Sequence, residues 1–204
     1  ASIARNMQAA NQGDFSGRLA HYLCEQAADQ ASHAQLDQAS QLLKEAVRTA
    51  PQTTRPRLEL ARIEHRLSQS NAAWNTLKEL AQTTPQGLPL AVPLLLEVAT
   101  ATGKQAEAAQ LLRQRYEQSP SLDLLDALVS LNTAPDDQPD SPSRDWYVQH
   151  LRQEPSLVAA TKWLAGEKLS QEEHHPAVQK ALEHASKPLT RYRCAACGFE
   201  ARQH

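Results

Sequence analysis

Two stretches, ASQLLKEAVRTAP at residues 39–51 and AWNTLKELAQTTP at residues 73–85, each open on alanine, carry leucine four positions on and close on proline. A third, residues 108–120, keeps Ala108, Leu112 and Pro120 in the same places. Leu42 and Leu111 add i+3 positions, so each stretch reads as an apolar stripe along one helix. Proline lacks an N–H and drives the preceding residue out of the α region, so Pro51, Pro85 and Pro120 mark helix ends. Pro155 continues the series, and the intervals are 34, 35 and 35 residues.

That interval is the period of the tetratricopeptide repeat, a pair of helices per unit, rather than of ankyrin or longer helical arrays. Ala39, Ala73 and Ala108 then fall where the two helices of a pair cross closely and only a small side chain fits. In the first helices Ala27 and Ala61 stand 24 residues before their prolines, whereas the third unit has Leu96 there and is irregular. Helices are expected near 18–31, 36–49, 55–68, 72–83, 89–102, 104–117, 121–131 and 144–153. The fold class expected is all-α, a tetratricopeptide-repeat α-solenoid with a short C-terminal metal knuckle.

Residues 1–17 read as a lead-in or the remnant of an upstream repeat, 18–187 as the repeats, and 188–204 as a tail. Asn132 to Ser143 holds three prolines and three aspartates, which predicts a surface loop inside the fourth unit. Beyond Pro155, Leu157, Thr161 and Leu164 suggest one helix, with Trp163 beside its stripe, and Val178, Leu182 and Ala185 a last one. These would cap the stack, since each pair buries its apolar face only against a neighbour.

The 21 Lys and Arg residues against 23 Asp and Glu leave a net charge of -2, without the basic field that draws proteins onto nucleic acid. Six glycines and the absence of alternating runs of β-formers argue against strands. The apolar stretch Leu88 to Ala101 is broken by Pro89, Pro93 and Glu97 and falls short of the roughly 20 residues a membrane span needs. Three cysteines do not make a secreted disulfide framework, which favours a reducing cytosol. The chain opens on Ala1 without a signal-peptide pattern, so a fragment is expected.

Cys194-Ala-Ala-Cys197, followed by Gly198 and Phe199, has the form of a metal knuckle, with two thiolates on a tight turn. Zn or Fe in tetrahedral coordination takes four ligands. His174, His175, His184 or His204 would have to fold back to complete a set, and a disordered dithiol tail is the alternative. A thioredoxin-like role lacks a βαβ context. Cys24 lies on an apolar helix face and reads as a buried structural thiol, and Trp74, Trp146 and Trp163 read as packing wedges. His21, His33, His65 and His150 are scattered over different units and read as ordinary polar positions. No phosphate-binding, nucleophile-elbow or zincin motif occurs, so an enzyme is not expected.

Read together, the repeats and the tail resemble the lipopolysaccharide assembly protein B family of Gram-negative bacteria. The likeness lies in Lys187-Pro188, Arg191-Tyr192-Arg193-Cys194 and Cys197-Gly198-Phe199, and in Leu19-Ala20-His21-Tyr22-Leu23-Cys24-Glu25 ahead of the first repeat. It implies an N-terminal membrane helix, tetratricopeptide units and a rubredoxin-like ribbon in which Cys194 and Cys197 are metal ligands. A second cysteine pair is expected beyond His204. The resemblance further implies a cytoplasmic scaffold at the inner membrane that brings the lipid A deacetylase to a membrane-bound AAA+ protease, alongside lipopolysaccharide assembly proteins. The membrane is reached only through a helix upstream of Ala1, and nucleic acid is not a partner. The rival reading is a redox or metal-handling module presented by a helical scaffold. On the adaptor reading, the first helices line the binding face, with Arg57, Glu64 and His65 as candidates there.

Overall fold

The computed structural model describes residues 2–132, 142–153, 156–165, 175–186, 191–193 and 200–202. The chain divides into two compact units, one up to Lys104 and one from Gln105. The first contains α1 (Ser2–Ser32), α2 (Leu36–Thr49), α3 (Thr54–Arg66), α4 (Ser70–Thr83), a 3-10 turn at Pro85–Gly87 and α5 (Leu88–Thr102). Here α1 packs on α2 and α3 on α4, while α3 also lies against both α1 and α2, and α5 against both α3 and α4. Each new first helix therefore fills the groove left by the pair before it, as a stack of helix pairs requires.

The alanine and leucine register holds. Ala39, Ala73 and Ala108 are fully buried, as are Leu77 and Leu112, and Leu43 is 1% exposed. Leu42 and Leu111 are half-buried at the edges of their stripes. Each wholly buried leucine contributes roughly 2 kcal/mol relative to exposure. Pro51, Pro85 and Pro120 follow their helices by two residues, after Thr49, Thr83 and Gln118. Pro155 lies outside the described residues.

Turn geometry repeats with the same period. Ala34, Ser68 and Gly103 take left-handed conformations with φ of 61°, 60° and 69° between the helices of successive pairs. At each turn the next residue's N–H bonds back to a carbonyl five residues earlier: Gln35 to Gln30 at 2.9 Å, Gln69 to Glu64 at 2.8 Å and Lys104 to Ala99 at 2.8 Å. These bonds satisfy the orphan carbonyls at the end of the first helix.

The sequence reading needs correction at several places. The first helix begins at Ser2, within the segment expected as a lead-in or the remnant of an upstream repeat, rather than near 18. Leu96 is only half-buried, and Leu95 with Ala91 and Ala99 takes the core side of α5. The shift follows from the extra turn at Pro85–Gly87 and from two prolines, Pro89 in the first turn of α5 and Pro93 inside it.

The second unit holds α6 (Gln105–Gln118), α7 (Leu122–Asn132), α8 (Pro142–Gln153), α9 (Leu157–Ala165) and α10 (His175–Ser186), each packed on the next. Of the expected loop, Asn132, Pro142 and Ser143 are helical, Pro142 at the first position of α8 where proline is tolerated, and 133–141 lie outside the described residues. In α9 Ala159 and Thr161 are buried among the residues whose side chains are described, and in α10 Ala185 is exposed while Ser186 is buried. Composition argues against strands, yet in the tail β1 (Arg191–Arg193) and β2 (Glu200–Arg202) pair antiparallel, Arg193 opposite Glu200. Three-residue strands are too short to leave an alternating pattern.

Candidate protein-interaction face

Charge is densest on α3, which carries four arginines and two glutamates in 13 residues. Arg55, near the start of α3, reaches α1: its Nη2 donates to Glu25 Oε1 at 2.7 Å, and its Nη1 lies 2.9 Å from His21 Nε2. Its Nε donates to Glu59 Oε1 at 2.6 Å, one helical turn away. Burial opposes the charge on Arg55, but Glu59 and Glu25 more than offset it and hold the guanidinium above its ordinary range. In return, the Arg55 hydrogen bond and charge hold the Glu25 carboxyl below its usual value. Cys24 is fully buried, and burial, with Glu59 next in weight, pushes its thiol up to about 12. It is the inert core thiol expected of its position.

Toward the C-terminal ends of the same helices, α1 and α3 flank an open groove of about 510 Å³. Ala27, Leu43 and Ile63 are its buried apolar lining. Arg62, Arg66 and Glu59, the last engaged by Arg55, line it from α3, and Ala28, Ala31 and Ser32 from α1. Both arginines are exposed and have no hydrogen bond or ion pair among the described residues. A second depression, between α1 and α2, is polar and mixes Glu25, Asp29 and Glu45 with Lys44 and Arg48. Alongside it on α1, Phe15, Leu19 and Tyr22 form an exposed stripe.

Of the residues expected on the binding face, Arg57 and Glu64 are buried at 6% and 4% exposure. Arg57 donates to the Pro51 carbonyl, and burial depresses its pKa. Glu64 accepts from Thr76 at 2.7 Å, and burial raises its pKa despite that bond. His65 is half-buried, its Nδ1 3.3 Å from Ser70 Oγ. On the same helix Arg62 and Arg66 are exposed instead, and their only signal in the sequence is two arginines one turn apart.

In the second unit His150 is 1% exposed rather than an ordinary polar position, and its Nδ1 lies 2.9 Å from the Tyr116 hydroxyl. Tyr147 donates to Asp126 Oδ1 at 2.6 Å, and Lys162 pairs with the other Asp126 oxygen. Burial, with Asp126 next, raises the Tyr147 phenol. Trp74 is 2% exposed, a packing residue as expected, with Lys104 5.6 Å from its ring.

Cys194 and Cys197 lie outside the described residues, as do His174 and His204. The strands β1 and β2 stand on either side of segment 194–199. Among the described residues no group of three His, Cys, Asp or Glu side chains is placed to hold a metal ion, and no helix is long and apolar enough to cross a membrane.

The fold thus defines a protein of stacked helix pairs. A scan against protein-family models finds no match, and a search of curated proteins finds none either. Among solved structures, one that resembles this chain is a thermophilic tetratricopeptide-repeat protein of Thermus thermophilus. It has 20% identity and a TM-score of 0.47, over 83% of this chain and 93% of that one. The repeat assignment rests on the period and packing above.

Proposed function

We propose that the chain is a non-catalytic scaffold that holds protein partners, and that it limits lipopolysaccharide synthesis by promoting proteolysis of the lipid A deacetylase at the cytoplasmic side of the inner membrane. What supports the scaffold reading is the open groove between α1 and α3, with an apolar lining and two arginines that have no ion pair among the described residues. What supports the finer reading is the resemblance in Arg191 to Phe199 and Leu19 to Glu25. A scaffold of this kind acts by effective concentration, holding deacetylase and AAA+ protease together so that their encounter becomes intramolecular.

Cys194 and Cys197 belong to this proposal as ligands for Zn or Fe. Two thiolates are the donor type both metals take, and they make half of a tetrahedral set, the other half being the second cysteine pair of the family's ribbon. Bound metal would fix the tail's fold. The test of the function is the deacetylase half-life in cells with and without the gene. A longer half-life on deletion is expected, and an unchanged one leaves only a generic adaptor.

A further inference from the structure

Charge is unevenly shared on the face formed by α1 and α3. Glu25 and Glu59 both close on Arg55, so the carboxylate that spacing offers to Arg62, Glu59 three residues before it, is already engaged. Arg62 and Arg66 stand one turn apart, exposed and without an acidic partner among the described residues, in a chain of net charge -2. Like charges at i,i+4 repel, so an anion that neutralises both is favoured there. Glu59 also lines the groove but is engaged by Arg55, whereas the neighbouring depression between α1 and α2 sets three carboxylates, Glu25, Asp29 and Glu45, against Lys44 and Arg48.

We propose that the groove between α1 and α3 binds an acidic segment of a partner protein, a carboxylate seating on Arg62 and Arg66 and an adjacent apolar side chain on Ala28 and Ala31, above the buried floor of Ala27, Leu43 and Ile63. The proposal rests on the scaffold reading and names the chemistry that scaffold takes. Guanidinium forks match carboxylates in geometry, and the apolar lining gives a protein segment a contact that a phosphate chain cannot use. A nucleic-acid strand would call for a longer basic track with stacking aromatics, and this groove has no aromatic lining among the described residues.

The test is fluorescence anisotropy of the full chain with a labelled short peptide of alternating Glu and Leu, beside its Gln counterpart and an oligouridylate of equal length. The Glu peptide should bind saturably. Its affinity should fall about tenfold or more with Gln in place of Glu, and as much in the double variant Arg62→Gln, Arg66→Gln. Arg48→Gln, on α2, should change nothing, and the melting temperature of the double variant should match the parent's because both arginines are exposed. No binding of the Glu peptide, equal binding by the double variant, or preference for the oligouridylate overturns the proposal. Capture of purified lipid A deacetylase separates the two readings. Retention by the double variant sinks the groove and leaves the scaffold, whereas failure of the parent chain to capture it sinks the scaffold assignment.

Discussion

Glu64 sits between α3 and α4 at 4% exposure and takes a hydrogen bond from Thr76, while Lys44 offsets part of the burial. Its folded pKa lies above the ordinary 4.5, so the native state binds the proton more readily than the unfolded chain. Stability from this group therefore falls as pH rises from the unfolded value through the folded one, and the cost is complete at neutral pH. Glu64→Gln keeps the acceptor and removes the charge. It should raise the melting temperature at pH 7, with the gain shrinking toward zero below pH ~4. A gain that grows on acidification would contradict the sign. Ala73, fully buried, marks the opposite kind of site: Ala73→Arg forces a long charged chain into a close crossing and should cost about 3 kcal/mol or more in denaturant unfolding. Ala73 was legible because smallness at a crossing is a property of one residue. The burial of Arg57, Glu64 and His150 was not, because it depends on which neighbours cover them.

Left-handed turns give the elements their most exposed weakness. Only the third turn uses glycine, at Gly103, and Ala34 and Ser68 meet the steric cost of positive φ that a Cβ imposes. Ala34→Gly and Ser68→Gly should each stabilise the chain by about 0.5–1 kcal/mol, and Gly103→Ala should cost a similar amount. Destabilisation by both glycine substitutions, read by urea melts, would contradict the turn geometry. Gly87 matters for closeness instead: a Cβ there would stand 2.8 Å from the Thr54 Cβ, with Thr54 itself buried. Gly87→Ala should therefore loosen the packing of α5 against α3 and cost about 1–3 kcal/mol. In the second unit Tyr116→Phe removes the hydrogen bond joining α6 to α8 and leaves buried His150 short of a partner, a loss of about 1–2 kcal/mol. The helix breaks were expected at these places, but the left-handed residue at Ala34 was not marked in the sequence, since alanine is not a turn former. The extra 3-10 turn that displaced Leu96 arises from Pro85 and Gly87 acting together.

Across the molecule the repeat is written three times over, in proline spacing, in the left-handed turns, and in side-chain bonds one repeat apart. Arg55 meets His21 over 34 positions, Tyr116 meets His150 over 34, Lys104 meets Asn71 over 33 and Lys162 meets Asp126 over 36. Such spacing arises because equivalent residues of adjacent pairs are neighbours, and it made the architecture legible from period alone. The proposed interaction face was less so, because Arg62 and Arg66 stand out only once Glu59 is seen to be engaged by Arg55. For the tail, elemental analysis of a protein carrying Cys194, Cys197 and the second cysteine pair that the resemblance implies should find stoichiometric Zn or Fe, lost in Cys194→Ser, and a metal-free protein would sink the ribbon. The scaffold itself is tested most directly by hydrogen–deuterium exchange of the chain alone and with saturating purified lipid A deacetylase. Slowed exchange confined to α1 and α3 is the expected result, and exchange unchanged along the whole chain would contradict it.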